Sequence, residues 1–189
     1  MQRSGGTKKE IGGFSFVELM VVIALIGILS AIALPSFLRS LPEKRLKNAA
    51  RNLYVDLQKA RLQAVKENKK VQVRFNTSPG TGYYYFDFNE DKTWDSDEFM
   101  GDLADYGAVD YGCGAKKNWN GDVPPSSGVT QSGTTGNNGR ITFGKTGTSN
   151  SGSIYLKSLN NQEVCYAVTI TNYGTIKIRR FDGVSWDLD

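Results

Sequence analysis

The chain has 189 residues, a formal charge of +4 and no histidine. Its length suits one domain with a real core plus an appendage, and its charge is too small to imply bulk nucleic-acid binding. The missing histidine excludes Ser-His and Cys-His catalysis and histidine zinc sites, and the two cysteines, Cys113 and Cys165, are too few and too widely spaced for a zinc motif.

Residues 1–13 carry Arg3, Lys8 and Lys9 against Glu10, a short basic lead-in. Leu19 to Leu34 then reads LMVVIALIGILSAIAL, sixteen residues without a charge. With its apolar flanks the run covers about 25 residues, or roughly 37 Å of helix, against a hydrocarbon core of about 30 Å. It is apolar on every side, unlike the one-sided stripe of a helix in a soluble domain. Residues 14–38 are therefore expected to span a membrane. Glu18, near the start of that run, is anomalous, because a charge there costs about 2–3 kcal/mol unless it is paired. An acid in that place marks a functional position or sits at headgroup level.

The segment Gly12-Gly13-Phe14-Ser15-Phe16-Val17-Glu18 resembles the processing site of type IV pilins and type II secretion pseudopilins. The resemblance lies in a basic leader ending in glycine, a following phenylalanine, and glutamate as the fifth residue after the junction. Pro35 also falls where that family has a helix-bending proline. The resemblance implies a leader of residues 1–13, cut between Gly13 and Phe14 by a prepilin peptidase, with methylation of the new Phe14 amine. It further implies that Glu18 pairs with the N-terminal amine of a neighbouring subunit. A competing reading, signal-peptide cleavage after Ala33 in Ser30-Ala31-Ile32-Ala33, conflicts with the long leader and with Glu18. Basic residues flank both ends of the apolar run, so orientation follows from the resemblance and not from charge counting.

Residues 39–70 read as an amphipathic continuation of the helix. Leu46, Ala49, Ala50, Leu53, Leu57, Ala60 and Ala64 form one stripe, with Arg51, Asp56 and Lys59 among the residues of other faces. Pro35 is expected to bend or locally unwind the rod, and Pro42 to do so again. Residues 71–189 read as an antiparallel sheet, giving an α+β fold with a long helix on one sheet face. Strands are expected at Val71–Asn76, Tyr83–Phe88, Ile141–Gly144, Ile154–Lys157, Val164–Thr171 and Thr175–Phe181, the last two as a hairpin. This part is similar to FimT/GspH-type minor pseudopilins, through the helical pattern at Arg51–Ala64, the strand at Val71, and the later strands at Gly139–Gly144 and Gly174–Ile178.

Residues 101–139, rich in Gly, Ser, Thr and Asn, are expected to form a variable surface loop. Cys113 lies in it and Cys165 in a core strand; in an oxidising compartment they would bridge, and otherwise they remain thiols. Before that loop, Asp87, Asn89, Asp91, Thr93 (through its carbonyl), Asp95 and Glu98 stand at positions 1, 3, 5, 7, 9 and 12 of an EF-hand-type calcium loop. Two features depart from that pattern: Lys92 replaces the glycine at position 6, and a strand leads in. The alternative is a solvated acidic turn.

The leading functional expectation is structural, not enzymatic. The chain reads as a minor pilin or pseudopilin of a type IV pilus or type II secretion pseudopilus. Its expected partners are other subunits, the peptidase/methyltransferase, and an inner-membrane assembly platform. Its expected place is the inner membrane, in a single pass with the C-terminal domain periplasmic, and then the filament. The alternative is a pilus-tip binding module for DNA, using Lys177, Arg179 and Arg180.

Overall fold

The computed structural model describes residues 13–113, 129–131, 139–160 and 164–188. It divides into two compact units, residues 1–40 and 41–189. Most of the expected leader, and much of the expected loop 101–139, lie outside the described residues.

Helix α1 covers Phe16–Glu67, 52 residues. Its helical assignment runs through Pro35 and Pro42 without a gap, so of the bend or local unwinding expected at these prolines, the unwinding does not occur. Each removes one backbone hydrogen bond, which the rest of a long helix can tolerate. The helix stops in a Schellman arrangement: Lys69 N donates to Ala64 O at 3.2 Å and Asn68 N to Val65 O at 3.3 Å. Asn68 supplies the left-handed residue that this cap needs, with φ 53°.

In the second unit all seven stripe residues from Leu46 to Ala64 are buried. They pack against Val71, Val73, Ile141, Phe143, Ile154, Leu156 and Val168 in one continuous core. Asp56, expected on a polar face, is buried with them. It accepts a hydrogen bond from Tyr84 Oη at 2.6 Å and pairs with Lys59 Nζ at 2.8 Å. Burial, and then the Asp56 carboxylate, push the Tyr84 hydroxyl well above its ordinary value. Tyr84 therefore stays protonated and remains a donor.

Where one sheet was expected, the described strands form two antiparallel sheets. The first contains β1 (Val71–Asn76), β2 (Tyr83–Asp87), β3 (Met100–Asp102) and β6 (Arg140–Phe143), in the order β3-β2-β1-β6. The second has the order β10-β9-β8-β7-β4, built from β4 (Val109–Tyr111), β7 (Gly152–Ser158), β8 (Cys165–Ile170), β9 (Ile176–Phe181) and β10 (Trp186–Leu188). Strand β5 (Val129–Gln131) also pairs with β7. The chain crosses between the sheets after β3, after β5 and again after β6, and Gly147, following β6, takes φ 77°. The hairpin of β8 and β9 pairs Cys165 with Phe181 through to Ile170 with Ile176.

The region expected as a surface loop supplies β3, β4, β5 and a 3-10 turn at Leu103–Tyr106. Leu103, Val109, Tyr111, Cys113 and Val129 are all buried. Three-residue strands are too short to show a period, so composition alone pointed to a loop. Cys113 and Cys165 are joined by a disulfide with a Cα–Cα distance of 5.6 Å. Around it Tyr155, Ala167 and Phe181 form a second small core, with Trp186 packed against it.

Two stability predictions follow from this packing. Gly174 has φ 73°, and a side chain on it would meet Gly147 O at 2.0 Å. Gly174→Ala should therefore lower stability by about 2 kcal/mol or more, read as a fall in thermal midpoint. Replacing Cys113 and Cys165 together by alanine should cost about 3–4 kcal/mol. A reductant should lower the wild-type midpoint and leave the double variant unmoved.

Candidate functional site

The helix begins where the sequence changes from glycine to serine and phenylalanine. Ser15 caps it, its carbonyl accepting the first helical bond from Leu19 N at 3.1 Å. Glu18 lies in the first turn, where a negative charge faces the positive end of the helix dipole. Gly13 stands before the helix, outside regular structure. Leaving out its chain neighbours, no atom of the described residues lies within 4 Å of the place a side chain on Gly13 would occupy, and Phe14 is 82% exposed.

From Phe14 to Leu38, sixteen large apolar side chains are exposed. An 18-residue window of this helix has a mean hydropathy of 2.7, and none of it is buried. At about 1.5–3 kcal/mol for each side chain removed from water, the free energy seeking cover is on the order of tens of kcal/mol. Lipid or a sheath of similar helices meets that demand, and water does not. Within this surface Glu18 is the only charge between Gly13 and Leu38, so a partner supplying a cation there gains electrostatic pairing on top of apolar contact. Pro35 lies inside the same helix.

The acidic segment joins β2 to β3. Asp87 is the last residue of β2 and is fully buried. Its carboxylate pairs with Arg74 of β1, and its Oδ2 also accepts from Lys92 N at 3.3 Å. Glu98 is buried too, with Oε1 accepting from Phe88 N at 2.9 Å and Oε2 from Asp95 N at 3.2 Å. Asn89 and Asp91 are exposed, as are Thr93 and its neighbours toward the loop mouth. The Asp91 carboxyl is held below its ordinary value by the Thr93 amide and then the Thr93 hydroxyl. Among the described residues no three acidic or thiol side chains already converge as a ligand set.

Sequence reasoning did not single out Arg74 or Tyr85, whose hydroxyl donates to Lys92 O at 2.8 Å. Arg74 was legible as part of the polar face Gln72, Arg74, Asn76 of an alternating strand, but its partner depends on the β1–β2 register, which sets Gln72 opposite Asp87.

The three cations of β9 do not share a face. Successive strand residues point to opposite sides, which groups Lys177 with Arg179 and places Arg180 on the other side. Arg180 forms a two-pronged contact with Glu43 Oε1, from Nη2 at 2.6 Å and Nε at 3.1 Å. Trp186 stacks near Phe181, with ring centres 5.2 Å apart, and is half-buried. The surface expected for DNA is thus divided, and part of it holds the fold together.

Comparison with known proteins agrees with this division of labour. Residues 8–34 match the prokaryotic N-terminal methylation motif, and residues 49–174 match the family described as type II transport protein GspH. A pilin-like protein of Thermus thermophilus, PilA1, is 33% identical over 108 residues, covering 57% of this chain and 62% of that protein. The type IV major pilin PilA of Myxococcus xanthus is 46% identical over 41 residues, covering 22% of this chain and 19% of that one. The chain therefore spans less than two thirds of the length of either relative. The minor pseudopilin EpsH from the type 2 secretion system of Vibrio cholerae superimposes with a TM-score of 0.46 at 15% identity, over 75% of this chain and 99% of that one. Such families consist of structural subunits and not enzymes. With its methylation motif at 8–34 and its family match at 49–174, the chain belongs to the GspH family of pilin-like type II transport proteins.

Proposed function

We propose that the chain is a minor pilin or pseudopilin that is processed at Gly13–Phe14 and assembles through α1 into a type IV pilus or type II secretion pseudopilus. The observation that carries this reading is the bare apolar surface of Phe14–Leu38 with Glu18 alone in its first turn. Before assembly, the inner membrane covers that surface, with the second unit in the periplasm. In the filament, neighbouring helices replace the lipid. Glu18 sets the register, because the methylated amine of Phe14 from an adjacent subunit supplies the cation that its carboxylate lacks. Apolar packing alone would tolerate a shift of one helical turn; a charge pair in a low-dielectric surround would not.

Expected partners are other subunits, the peptidase that cuts and methylates the chain, and an inner-membrane assembly platform. The second unit, whose core is closed by its own helix and sheets, travels as cargo of the helix and decorates the filament.

Mass spectrometry of the mature chain from cells with and without their prepilin peptidase tests the first step. A methylated Phe14 start that requires the peptidase is expected, whereas a Leu34 start in both strains would overturn the reading. Glu18→Ala should leave cleavage and membrane insertion intact while lowering incorporation into sheared filaments by about tenfold or more, the equivalent of one weak charge pair.

A further inference from the structure

The connection between β2 and β3 has a construction that its position in a filament subunit does not explain. Residues 87–98 hold six acids and one lysine, a local charge of −5. Two of those acids, Asp87 and Glu98, are buried, at 0% and 8% exposure. They are the first and the twelfth residues of the segment. Asn89, Asp91 and Asp95 stand between them, exposed or half-buried. The segment is a cup whose floor is made by its two end carboxylates and whose rim carries the remaining oxygen donors.

The floor is electrostatically incomplete. Asp87 Oδ1 is buried and has no hydrogen-bond partner. Its sister oxygen, Oδ2, is reached by Lys92 N from the sixth residue of the loop, which places the carboxylate inside the curl of the chain. Leaving a buried carboxylate oxygen unsatisfied is costly, and sequence alternatives such as asparagine or serine would avoid the charge. Arg74 neutralises one carboxylate from the outer side and leaves Oδ1 without a donor.

The rim shows what is missing. Asn89 Nδ2 lies 3.1 Å from Asp91 Oδ2 and 3.0 Å from Asp95 Oδ2. The positive end of an amide dipole thus stands between two carboxylates, where a cation would bind them more strongly. The backbone already has the required curl, with Glu90 at φ 63° and Lys92 at φ 72°. Both residues accept a left-handed conformation that costs a side-chain-bearing residue roughly 1 kcal/mol or more.

We propose that residues 87–98 bind one calcium ion. The ligands are the Asp87 carboxylate through Oδ1, the Asn89 side-chain oxygen, the Asp91 carboxylate, the Thr93 carbonyl, Asp95 directly or through water, and the Glu98 carboxylate. The loop backbone is set in advance. The ion draws the rim in by rotation of Asn89, Asp91 and Asp95, whose side chains bond to one another within the loop. Six or more hard oxygens on a flexible rim suit calcium, while magnesium requires a tighter octahedron and retains its waters. With Asp87 already shared with Arg74, the affinity belongs to the extracellular class, with a dissociation constant on the order of 10⁻⁴–10⁻³ M. Binding would fasten β3, the edge strand, to β2 and stiffen the exposed end of the first sheet.

The test uses the full chain in detergent micelles. Calorimetric titration with calcium should show one site, and millimolar calcium should raise the thermal midpoint by several degrees over a chelator control. Asp91→Asn and Asp95→Asn should each weaken binding by about tenfold or more and remove most of the calcium-dependent rise above that variant's own metal-free midpoint. Lys92→Gly should raise the metal-free midpoint and tighten binding, since glycine accepts the left-handed position without strain. Trp94 Nε1 donates to Glu98 O at 3.2 Å, so terbium bound in the loop should be sensitised through this indole, and Trp94→Phe should reduce that emission to what Tyr85 supplies. No calcium-dependent shift at millimolar calcium, an equal response to magnesium, or binding unaltered in both aspartate variants would each overturn the proposal.

Discussion

An α-helix that is apolar around its whole circumference over some two dozen residues cannot rest in water, and most of what this chain is built to do depends on that constraint. The free energy of covering such a surface is on the order of a few times the net stability of a typical domain, a demand that a bilayer or other chains can meet. Under the proposed function, the single acid at the start of the surface, Glu18, converts that nonspecific demand for cover into a demand for a neighbour that brings a cation to the same depth.

The same helix changes its chemistry toward its C-terminal end. From Leu46 onward it shows one apolar stripe, and small residues on that stripe, Ala49, Ala50, Ala60 and Ala64, are almost wholly buried. Alanines at those places allow sheet side chains such as Phe143 and Ile141 to approach the helix axis, so size on one element is matched by bulk on the other. Asp56 interrupts the stripe and is tolerated because Tyr84 and Lys59 both reach it. Its environment, satisfied on two sides, contrasts with that of Asp87, where one oxygen is left over.

Two devices tie parts of the second unit that are far apart in the sequence. The disulfide ties the start of a long connection to the first residue of β8, and the Glu43–Arg180 contact ties the start of the second unit's helical segment to β9. Both involve residues that read differently in isolation. Arg180 is a surface cation by composition, and becomes a structural tether because strand alternation turns it toward Glu43. Cys113 belongs by composition to a polar loop, and becomes a core residue through its partner.

Local chemistry was enough to read the N-terminal design. A charge-free run, an acid at a fixed distance after a glycine junction, and a helical stripe are all properties of neighbouring residues, and no distant contact is needed to define them. The boundary of β1 and the extent of the β8–β9 hairpin were legible for the same reason: each has enough alternating or turn-forming residues to declare itself. The division into two sheets, the strands of three residues inside the supposed loop, the burial of Asp56 and the partition of Lys177, Arg179 and Arg180 were not. Each is decided by which strand lies beside which, and that choice is made by long-range packing that leaves no periodic mark on the chain. The acidic loop lies between these cases. Its ligand spacing is written in the sequence, but the pairing of Asp87 with Arg74 through one oxygen, with the other buried and without a donor, is set by the β1–β2 pairing.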